Sequence, residues 1–351
     1  MPEPQATDPA SNLVTVVVPA RNEEGFIGAC LESVLAQEER SLQVVVVDGD
    51  STDRTPEIVR EYISKDPRVE LLENPGRIIP KALNLGLTAA RGTWLVRVDA
   101  HSTIPPNYIG RLVKHLETGK WGGVGGRKDA VGISAAGKAA AVALESRFGV
   151  GDSHYHHARA PQVVDHVPFG AYPTQLARDL GGWDERLTVN EDYEFDYRVR
   201  RTGRSLLLDP SVRITWHPRE SIGDLFGQYR RYGRGKAEML LLNPSSAKPR
   251  HLAAPALVAS WVVAAVLAPH RSRLAALLIS PYVFALGVAS VVTSRRLHHP
   301  RARWYLPASF LAMHAGWGIG FWQTVLRRCW LGLTALAGLG EVEEGDDVLS
   351  A

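Results

Sequence analysis

The sequence predicts an α/β domain built on a mostly parallel sheet, followed by transmembrane α-helices. Short β-rich runs alternate with polar loops and helical segments from residue 13 onward, which is the pattern of βαβ units. Near the C-terminus, three apolar segments follow one another. The 351 residues also exceed the ~100–200 typical of one domain, so two regions are expected.

The strand of residues 44–47 is the clearest element. Four consecutive valines indicate a strand buried on both faces, and a polar loop follows it through residue 55. Asp48, Asp50 and Asp53 thus lie where open α/β sheets bind ligands. Carboxylates repel phosphate, which favours a nucleobase, a ribose hydroxyl or a metal. Alternatively, the loop merely caps the helix that starts near Pro56.

The same alternation continues on both sides of this strand. Residues 13–18 form a strand stopped by Pro19, and a helix through residue 35 follows. A right-handed crossover places the loops of residues 19–24 and 48–53 side by side. The remaining expected elements are helices at 55–65 and 79–90 and strands at 69–72, 94–98, 205–208 and 212–216, with a strand and turn at 163–172.

Asp99 and His101 end the strand of residues 94–98. Residues i and i+2 of an extended segment point the same way, so they can share a divalent cation whose shell substrate oxygens complete. A nucleotide-sugar diphosphate needs such a cation, because charge builds on its leaving phosphate. A loop-capping Asp beside a surface His is the alternative.

Two other segments carry candidate polar residues. We interpret residues 119–157, which are rich in Gly and Ala, as a mobile, solvated loop near the acceptor path, and His154, His156 and His157 as part of it rather than a metal site. Glu191 and Asp192 open a helix that runs to about residue 201. Either the helix dipole stabilises these acidic residues in the first turn, or one of them is a base for an attacking hydroxyl.

The C-terminal third reads as a membrane region. Residues 222–242 are basic, aromatic and amphipathic, as at a membrane surface. Spans are expected at 252–269, 274–293 and 305–326, and the arginine-rich loop at 295–303 orients this loop and the N-terminal domain to the cytoplasm. A third span would leave Arg327 and Arg328 on the far side unless the segment re-enters or a partial fourth segment follows through Leu339.

Composition sets the remaining limits. A net charge of +3 gives no clustered basic footprint for nucleic acid, and Cys30 and Cys329 have no partner spacing for zinc or a disulfide framework. The expected organisation is a disordered leader at 1–12, a catalytic domain at 13–219, an amphipathic interface segment at 220–250, a membrane region at 251–339 and an acidic disordered tail at 340–351.

Seven motifs, taken in order, resemble the family 2 inverting glycosyltransferases of GT-A fold over about residues 13–240, and within them the membrane-bound succinoglycan-type exopolysaccharide enzymes. The motifs are VVVPARNEE ending at residue 24, VDGDSTDRT at 47–55, NPGRIIPKALNLGL at 74–87, VRVDAH at 96–101, GGWDERL at 181–187, NEDYEFDYRVRRTG at 190–203 and QYRRYGRGK at 228–236.

The resemblance implies a role for each matching residue. The uridine half of a UDP-sugar would be held by Pro19, Ala20, Arg21, Glu23, Asp48 and Asp50. The ribose or diphosphate would lie near Arg77, Lys81 and Asn84. Asp99 would ligate Mg²⁺ or Mn²⁺, and Asp192 would be the catalytic base with Glu191 beside it. The acceptor and diphosphate would meet Gly182, Trp183, Asp184, Gln228, Arg231 and Tyr232.

Three departures from the family pattern stand out. The usual Asp-Asp-Gly-Ser is Asp48-Gly49-Asp50-Ser51 here, which leaves open which Asp binds the uracil. The usual Asp-x-Asp ends in His101, which makes this histidine a hypothetical metal ligand, and Tyr232 replaces a Trp.

The implied reaction is inverting transfer of a sugar, glucose in the first instance, from a UDP-sugar to a hydroxyl of a polyprenyl-linked saccharide at the cell membrane. Transfer to polyprenyl phosphate is a second enzymatic hypothesis. Its acceptor is already an anion, so this activity would depend less on a base. A hypothesis outside the enzyme class is a non-catalytic scaffold subunit that binds a nucleotide sugar.

Overall fold

A computed structural model describes residues 13–38 and 41–336 of the chain. The expected leader and the acidic tail lie outside the described residues. The strands are β1 (Val14–Ala20), β2 (Leu42–Asp48), β3 (Val69–Glu73), β4 (Trp94–Arg97), β5 (Ser102–Thr103), β6 (Trp121–Ala130), β7 (Gln162–Val164), β8 (Ala171–Pro173) and β9 (Ser205–Trp216).

Thirteen α-helices occur in the described part of the chain. They are α1 (Ile27–Leu35), α2 (Thr55–Ile63), α3 (Ile79–Ala89), α4 (Tyr108–Leu116), α5 (Ala135–Leu144), α6 (Arg147–Val150), α7 (Thr174–Asp179), α8 (Glu191–Arg201), α9 (Ile222–Leu242), α10 (Pro249–Leu267), α11 (Ser272–Ser294), α12 (Pro300–Arg303) and α13 (Leu306–Leu336).

The strands form one mixed sheet in the order β3-β2-β1-β4-β8-β6-β9-β5, with β7 on β9. β1 runs parallel to β2 and to β4, so three strand ends meet at one edge. The loops after β1 and β2 are joined there as predicted, because the backbone N–H of Asn22 donates to Ser51 Oγ at 2.9 Å and that of Thr52 to Asn22 Oδ1 at 2.8 Å. Valines of β1 and β2 are buried on both faces, as their sequence pattern indicates.

Residues 119–157 differ from the expected solvated loop. They contain β6 and α5, and His156 is only 5% exposed. The glycines of β6 permit close packing, since a Cβ at Gly123 would lie 2.5 Å from the Tyr172 ring. Glycine and alanine give a weak hydrophobic period, which is why neither element was predicted.

Two strand boundaries also differ from the prediction. Residues 205–208 and 212–216 belong to one strand, β9, which carries a register shift opposite Gly126 and Arg127 of β6. The expected strand and turn at 163–172 is instead the two short strands β7 and β8. β7 pairs with β9 and β8 pairs with β4 and β6, and the segment between them contributes Asp165, His166 and Phe169 to the cavity described below.

The expected third span is instead a helix packed on the protein. α13 lies along α9, and a Cβ at Gly316 would lie 2.7 Å from the Phe226 carbonyl oxygen. Within residues 13–38 and 41–336, two helices, α10 and α11, are long and apolar enough to cross a membrane, with mean hydropathy 1.6 and 2.1. Small residues on α13 explain the close approach of the two helices.

α10 and α11 form a hairpin with both ends at the α/β domain. At its start, Lys248 donates to Asp165 at 2.7 Å, and after its end Leu297 and Ala302 are buried beside α5. Large apolar side chains stay exposed along the hairpin, including Val266 (69%) and Phe284 (76%). An exposed apolar surface of this kind fits a lipid environment better than water.

Candidate active site

One cavity of about 2390 Å³ extends from the strand-end loops to the helical hairpin. Arg21, Glu23 and Arg77 line its end at the sheet edge, and Leu257 and Tyr282 line the opposite end. Sites for one small ligand measure about 300–1,000 Å³, so this volume accommodates two substrates.

Arg97 links two carboxylates in the middle of the cavity wall. Its Nε donates to Asp99 Oδ1 at 2.7 Å and its Nη1 donates to Glu191 Oε1 at 3.0 Å. The Arg97 side chain is 10% exposed, and although burial opposes its charge, Asp99 and Glu191 raise its pKa. A buried arginine that serves two elements fixes the loop after β4 against the start of α8.

Glu191 and Asp192 are adjacent but differ in electrostatic environment. Burial and the charge of Asp192 raise the pKa of Glu191, despite its bond to Arg97. Burial also opposes ionisation of Asp192, but His166, Arg97 and the Tyr193 N–H outweigh it and lower the pKa of Asp192. Such divergence separates the roles of two carboxyl groups and favours the ionised form more strongly at Asp192 than at Glu191.

A histidine and a second aspartate lie behind Asp192. The Nδ1 of His166 is 2.8 Å from Asp196 Oδ2, and its Nε2 is 3.6 Å from Asp192 Oδ2. Asp196 is fully buried and also accepts hydrogen bonds from the Val167 N–H and the Tyr172 hydroxyl. His166 thereby connects the buried core of the domain to the cavity.

Two lysines face the same region without a carboxylate bonded to them in the described structure. Lys128 lies 4.4 Å from the Phe169 ring and 4.1 Å from the Trp216 ring, and burial lowers its pKa to about 8. Lys236 lies 3.5 Å from the Tyr193 ring, and burial lowers its pKa to about 7. Desolvated cations beside a cavity favour an anionic ligand.

Asp99 and His101 both line the cavity. The Nδ1 of His101 is 3.0 Å from Glu23 Oε1, which leaves Nε2 for another partner. In the described part of the chain, no three side chains of the metal-ligating types come together. Asp99 Oδ1 and Oδ2 accept from Arg97 at 2.7 and 3.3 Å, and each oxygen keeps a lone pair for a cation that takes most of its shell from substrate oxygens and water, as Mg²⁺ and Mn²⁺ do.

The loop after β2 uses part of its polar groups for its own structure. Asp48 accepts from the Ser51 N–H at 3.0 Å and from the Ser51 hydroxyl at 2.6 Å. Asp53 accepts from the Thr55 N–H at 3.0 Å, as the capping alternative expects. Asp50 is half-exposed and pairs with Arg77. Of the three aspartates, Asp50 is thus the most available to a ligand.

Five non-glycine residues adopt positive φ in the described structure, all of them in loops. They are Asn22, Asp50, Arg77, Phe169 and Asn190, with φ between 48° and 65°. Arg77, Phe169 and Asn190 line the cavity, and Asp50 pairs with Arg77. Because this conformation costs ~1–3 kcal/mol per residue, its concentration here supports a functional site.

Two protein-family descriptions match the chain: "Glycosyl transferase family 2" over residues 15–151 and "Glycosyl transferase family group 2" over residues 94–291. The chain is also 32% identical over 318 residues to the succinoglycan biosynthesis protein ExoA of Rhizobium meliloti, covering 89% of this chain and 94% of that protein. The chain belongs to glycosyltransferase family 2.

Two more distant similarities concern the sequence and the fold. The glycosyltransferase is 23% identical over 239 residues to a dolichyl N-acetyl-alpha-D-glucosaminyl phosphate 3-beta-D-2,3-diacetamido-2,3-dideoxy-beta-D-glucuronosyltransferase of Methanococcus voltae, covering 65% of this chain and 74% of that one. Its structure resembles mannosyltransferase PcManGT of Pyrobaculum calidifontis, solved with GDP-Man and Mn²⁺, with TM-score 0.59, 23% identity and 90% of both chains covered. The latter likeness confirms the predicted GT-A fold.

The structure brings part of the predicted site of this glycosyltransferase together. The predicted residues that line the cavity are Arg21, Glu23, Arg77, Asp99, His101, Glu191, Asp192, Gln228, Arg231 and Tyr232. Gln228 Nε2 donates to the Tyr232 hydroxyl at 3.1 Å, so these two side chains of α9 present a joined polar surface. Burial lowers the pKa of Arg231, which lies on the same helix.

The other predicted residues do not line this cavity. They are Pro19, Ala20, Asp48, Asp50, Lys81, Asn84, Trp183 and Asp184. Trp183 is 4% exposed and stacks on Phe195 at 4.5 Å, so it belongs to the core rather than to an acceptor surface. Asn84 Oδ1 accepts a hydrogen bond from the Trp183 N–H at 2.7 Å, and Asp184 forms an ion pair with Arg186. These contacts stabilise the loop before α8.

Several residues that line the cavity were not predicted from the sequence. Arg97 could have been found, because it precedes Asp99 by two positions and so points to the same face of the strand. His166 and Asp196 are 30 residues apart and had no local signal. Lys128 stands in the glycine-rich strand β6, which was not predicted. Lys236 stands in the basic segment of residues 222–242, whose cations were expected at a membrane surface, but it is buried.

Proposed function

We propose that this glycosyltransferase transfers a sugar from a UDP-sugar to a hydroxyl of a lipid-linked saccharide, with inversion at the anomeric carbon. The observation that carries the proposal is the carboxylate of Asp192 in a cavity that reaches from the strand-end loops to the helical hairpin. His166 and Arg97 lower the pKa of this carboxyl. The name of the ExoA relative supports a role in exopolysaccharide or cell-envelope glycan synthesis.

The end of the cavity at the strand-end loops suits a nucleoside diphosphate. Arg77 lines the cavity and supplies a cation for the diphosphate. Asp50 does not line the cavity, but it pairs with Arg77 and offers a half-exposed carboxylate to a base or ribose. The donor sugar, with glucose proposed first, is bound deeper in the cavity, toward Asp99 and Arg97. Uridine as the nucleobase rests on the resemblance of the motifs in this loop.

The membrane end suits a lipid-linked acceptor. Leu257, Tyr282 and Met313 line the cavity where the hairpin meets the α/β domain. A saccharide carried on a lipid can therefore enter from the bilayer side and present its hydroxyl toward Asp192. The dolichyl-linked substrate in the name of the Methanococcus voltae relative supports this acceptor class.

The proposed reaction is a single displacement. Asp192 accepts the proton of the acceptor hydroxyl while that oxygen forms the new glycosidic bond to the anomeric carbon. The bond from this carbon to the diphosphate breaks, and UDP leaves with the electron pair. Arg97 keeps Glu191 and Asp99 in place during this step, and Arg231 offers a charge to the diphosphate.

A divalent cation is proposed at Asp99 and His101. When bound there, Mg²⁺ or Mn²⁺ would neutralise charge on the leaving diphosphate. Glu23 would orient the His101 ring so that Nε2 faces the cation.

UDP release by the membrane-embedded enzyme tests the proposal. Membranes are given a panel of UDP-sugars, GDP-mannose as a donor control, and Mg²⁺, Mn²⁺ or EDTA, with and without a polyprenyl-linked saccharide. We expect metal-dependent UDP release from one donor only when the lipid-linked saccharide is present. Release with polyprenyl phosphate alone would favour the second reaction, and binding without release under all conditions would indicate a scaffold.

We further propose that the hairpin crosses the cell membrane twice and that the catalytic domain and α13 both remain on the cytoplasmic side. Two crossings return the chain to its starting face. Arg327 and Arg328, which line the cavity, then stay in the cytoplasm with the arginine-rich loop of residues 295–303. This arrangement removes the conflict that a third span would create.

Cys329 provides the measurement, since it is exposed and Cys30 is buried. A membrane-impermeant maleimide should label Cys329 in inverted vesicles and not in intact cells. As the control, His270→Cys in a Cys329→Ser chain places the thiol in the turn between α10 and α11 and should label only in intact cells. Labelling of Cys329 from outside would contradict the two-crossing arrangement.

A further inference from the structure

We propose that His166, held by Asp196, is a positioning residue that keeps the carboxylate of Asp192 oriented and ionised for proton abstraction. The inference rests on the proposed transferase function, in which Asp192 is the base. His166 itself does not contact the substrates in this role; it acts through Asp192.

Asp196 fixes the imidazole ring. Its carboxylate is fully buried, accepts from the Val167 N–H at 2.8 Å and the Tyr172 hydroxyl at 2.7 Å, and lies 2.8 Å from His166 Nδ1. Burial raises the pKa of Asp196, whereas its contacts with His166, Val167 and Tyr172 favour the ionised form; that form only accepts hydrogen bonds, so Nδ1 is the donor to it. This bond therefore sets the orientation of the ring and turns Nε2 toward Asp192.

Aromatic contacts restrict the ring further. Tyr155 packs on His166 edge-on, with ring centroids 5.5 Å apart, and the Tyr193 ring lies at 5.6 Å. The His166 side chain is 10% exposed. A ring confined by two aromatic side chains and one buried hydrogen bond cannot rotate away from Asp192 without disrupting the core.

Asp192 is held at both carboxylate oxygens. Oδ1 accepts from the Tyr193 N–H at 2.7 Å, and Oδ2 lies 3.6 Å from His166 Nε2. The second distance is that of an ion pair rather than a hydrogen bond, so the lone pairs of Oδ2 stay available to an acceptor hydroxyl. The Asp192 side chain keeps 34% of its surface open.

The other charged groups that influence Asp192 are engaged elsewhere. They are Arg97 on β4, Lys128 on β6, Glu191 on α8 and Lys236 on α9. Arg97 is bonded to Asp99 and Glu191, and the two lysines lie over aromatic rings. Among the described cations, His166 is thus the one whose geometry is directed at Asp192.

The electrostatics agree with this geometry. Burial opposes the charge of His166, but Asp192 and Asp196 raise its pKa, and His166 in turn lowers the pKa of Asp192. Removing the imidazole should therefore raise the pKa of Asp192 and move the acid limb of the rate profile to higher pH.

Two substitutions separate positioning from mere structure. His166→Asn places an amide near the site of Nδ1, so it can retain the Asp196 bond while losing the group that faces Asp192. We expect kcat to fall about 10- to 100-fold and the midpoint of the acid limb of its pH profile to move up by about half a pH unit or more. The donor KM should stay within about twofold of the wild-type value. His166→Gln, whose amide extends toward the site of Nε2, should retain more activity at neutral pH.

His115→Gln is the matched control. His115 Nε2 also bonds a carboxylate, that of Asp209, at 2.8 Å, but this pair does not line the cavity. We expect its kcat and acid limb to match those of the wild type. A His166→Asn enzyme with wild-type kcat and an unmoved acid limb would overturn the proposal.

A second measurement needs no turnover, and so separates this inference from the proposed function. The melting temperatures of His166→Asn, Asp192→Asn and the double variant form a cycle. We expect non-additivity of at least about 2 °C near pH 6 that shrinks near pH 9, because a raised His pKa stabilises at low pH and its contribution is lost as pH rises through it. Additive shifts at both pH values would refute the pairing, even if the wild type transferred sugar. An enzyme without turnover but with this coupling would refute only the transferase function.

Discussion

Replacing Asp192 by Asn should lower kcat by about 10²–10⁴-fold and leave the dissociation constant of the UDP-sugar within about twofold of the wild-type value. The amide cannot accept the acceptor proton, yet it fills the same volume and keeps an oxygen for the Tyr193 N–H. UDP release measures the first effect, and calorimetric titration with a non-hydrolysable donor analogue measures the second.

Asp66→Asn is the control for this substitution. Asp66 pairs with Arg68 after α2 and does not line the cavity, so both constants should stay at wild-type values. Near-wild-type turnover of Asp192→Asn would remove Asp192 from the role of base. Equal loss of donor binding and turnover would instead place Asp192 in the donor site.

Replacing Arg97 by Met should cost about 3–5 kcal/mol of unfolding free energy and abolish transfer. The change leaves the carboxylates of Asp99 and Glu191 unpaired in a buried position. The melting temperature should fall by about 6–20 °C. The loss should be greater at pH 8 than at pH 5, because a buried Glu191 with a raised pKa is more easily accommodated when protonated.

Arg68→Met tests whether the loss is specific to burial. Arg68 also forms an ion pair with an aspartate, but its side chain is 29% exposed, so its removal should cost about 1 kcal/mol or less. Melting curves of both variants at the two pH values make the comparison. A loss for Arg97→Met no larger than that for Arg68→Met would contradict the structural role of Arg97.

The sequence pattern predicted the parts of the fold that hydrophobic runs define. Strong hydrophobic runs marked β1, β2 and β4 in the sequence, with β4 parallel to β1 as βαβ units require. The structure joins the loops after β1 and β2 by hydrogen bonds, as expected. β6 and α5 were missed because glycine and alanine pack closely without a strong hydrophobic signal. The path of α13 was missed because packing along α9 depends on tertiary contacts.

The candidate site divides in a similar way. Asp99 and Asp192 stand in local motifs, so their residue types and positions were visible in the sequence. Trp183 also stands in a motif, yet the structure buries it against Phe195, because an aromatic side chain gives no local sign of which face it occupies. His166 and Asp196 meet only through the fold, so no spacing rule could pair them.

The position of α13 in the chain has a consequence for biosynthesis. The helix that packs along α9, α13, is synthesised after both segments of the hairpin. Until then α9 lacks the helix that packs along it, and the cavity wall that includes Gln228 and Tyr232 lacks this support. This part of the cavity wall is therefore completed only after the hairpin has been synthesised. The order of synthesis thus couples completion of the cavity to the emergence of the apolar hairpin from the ribosome.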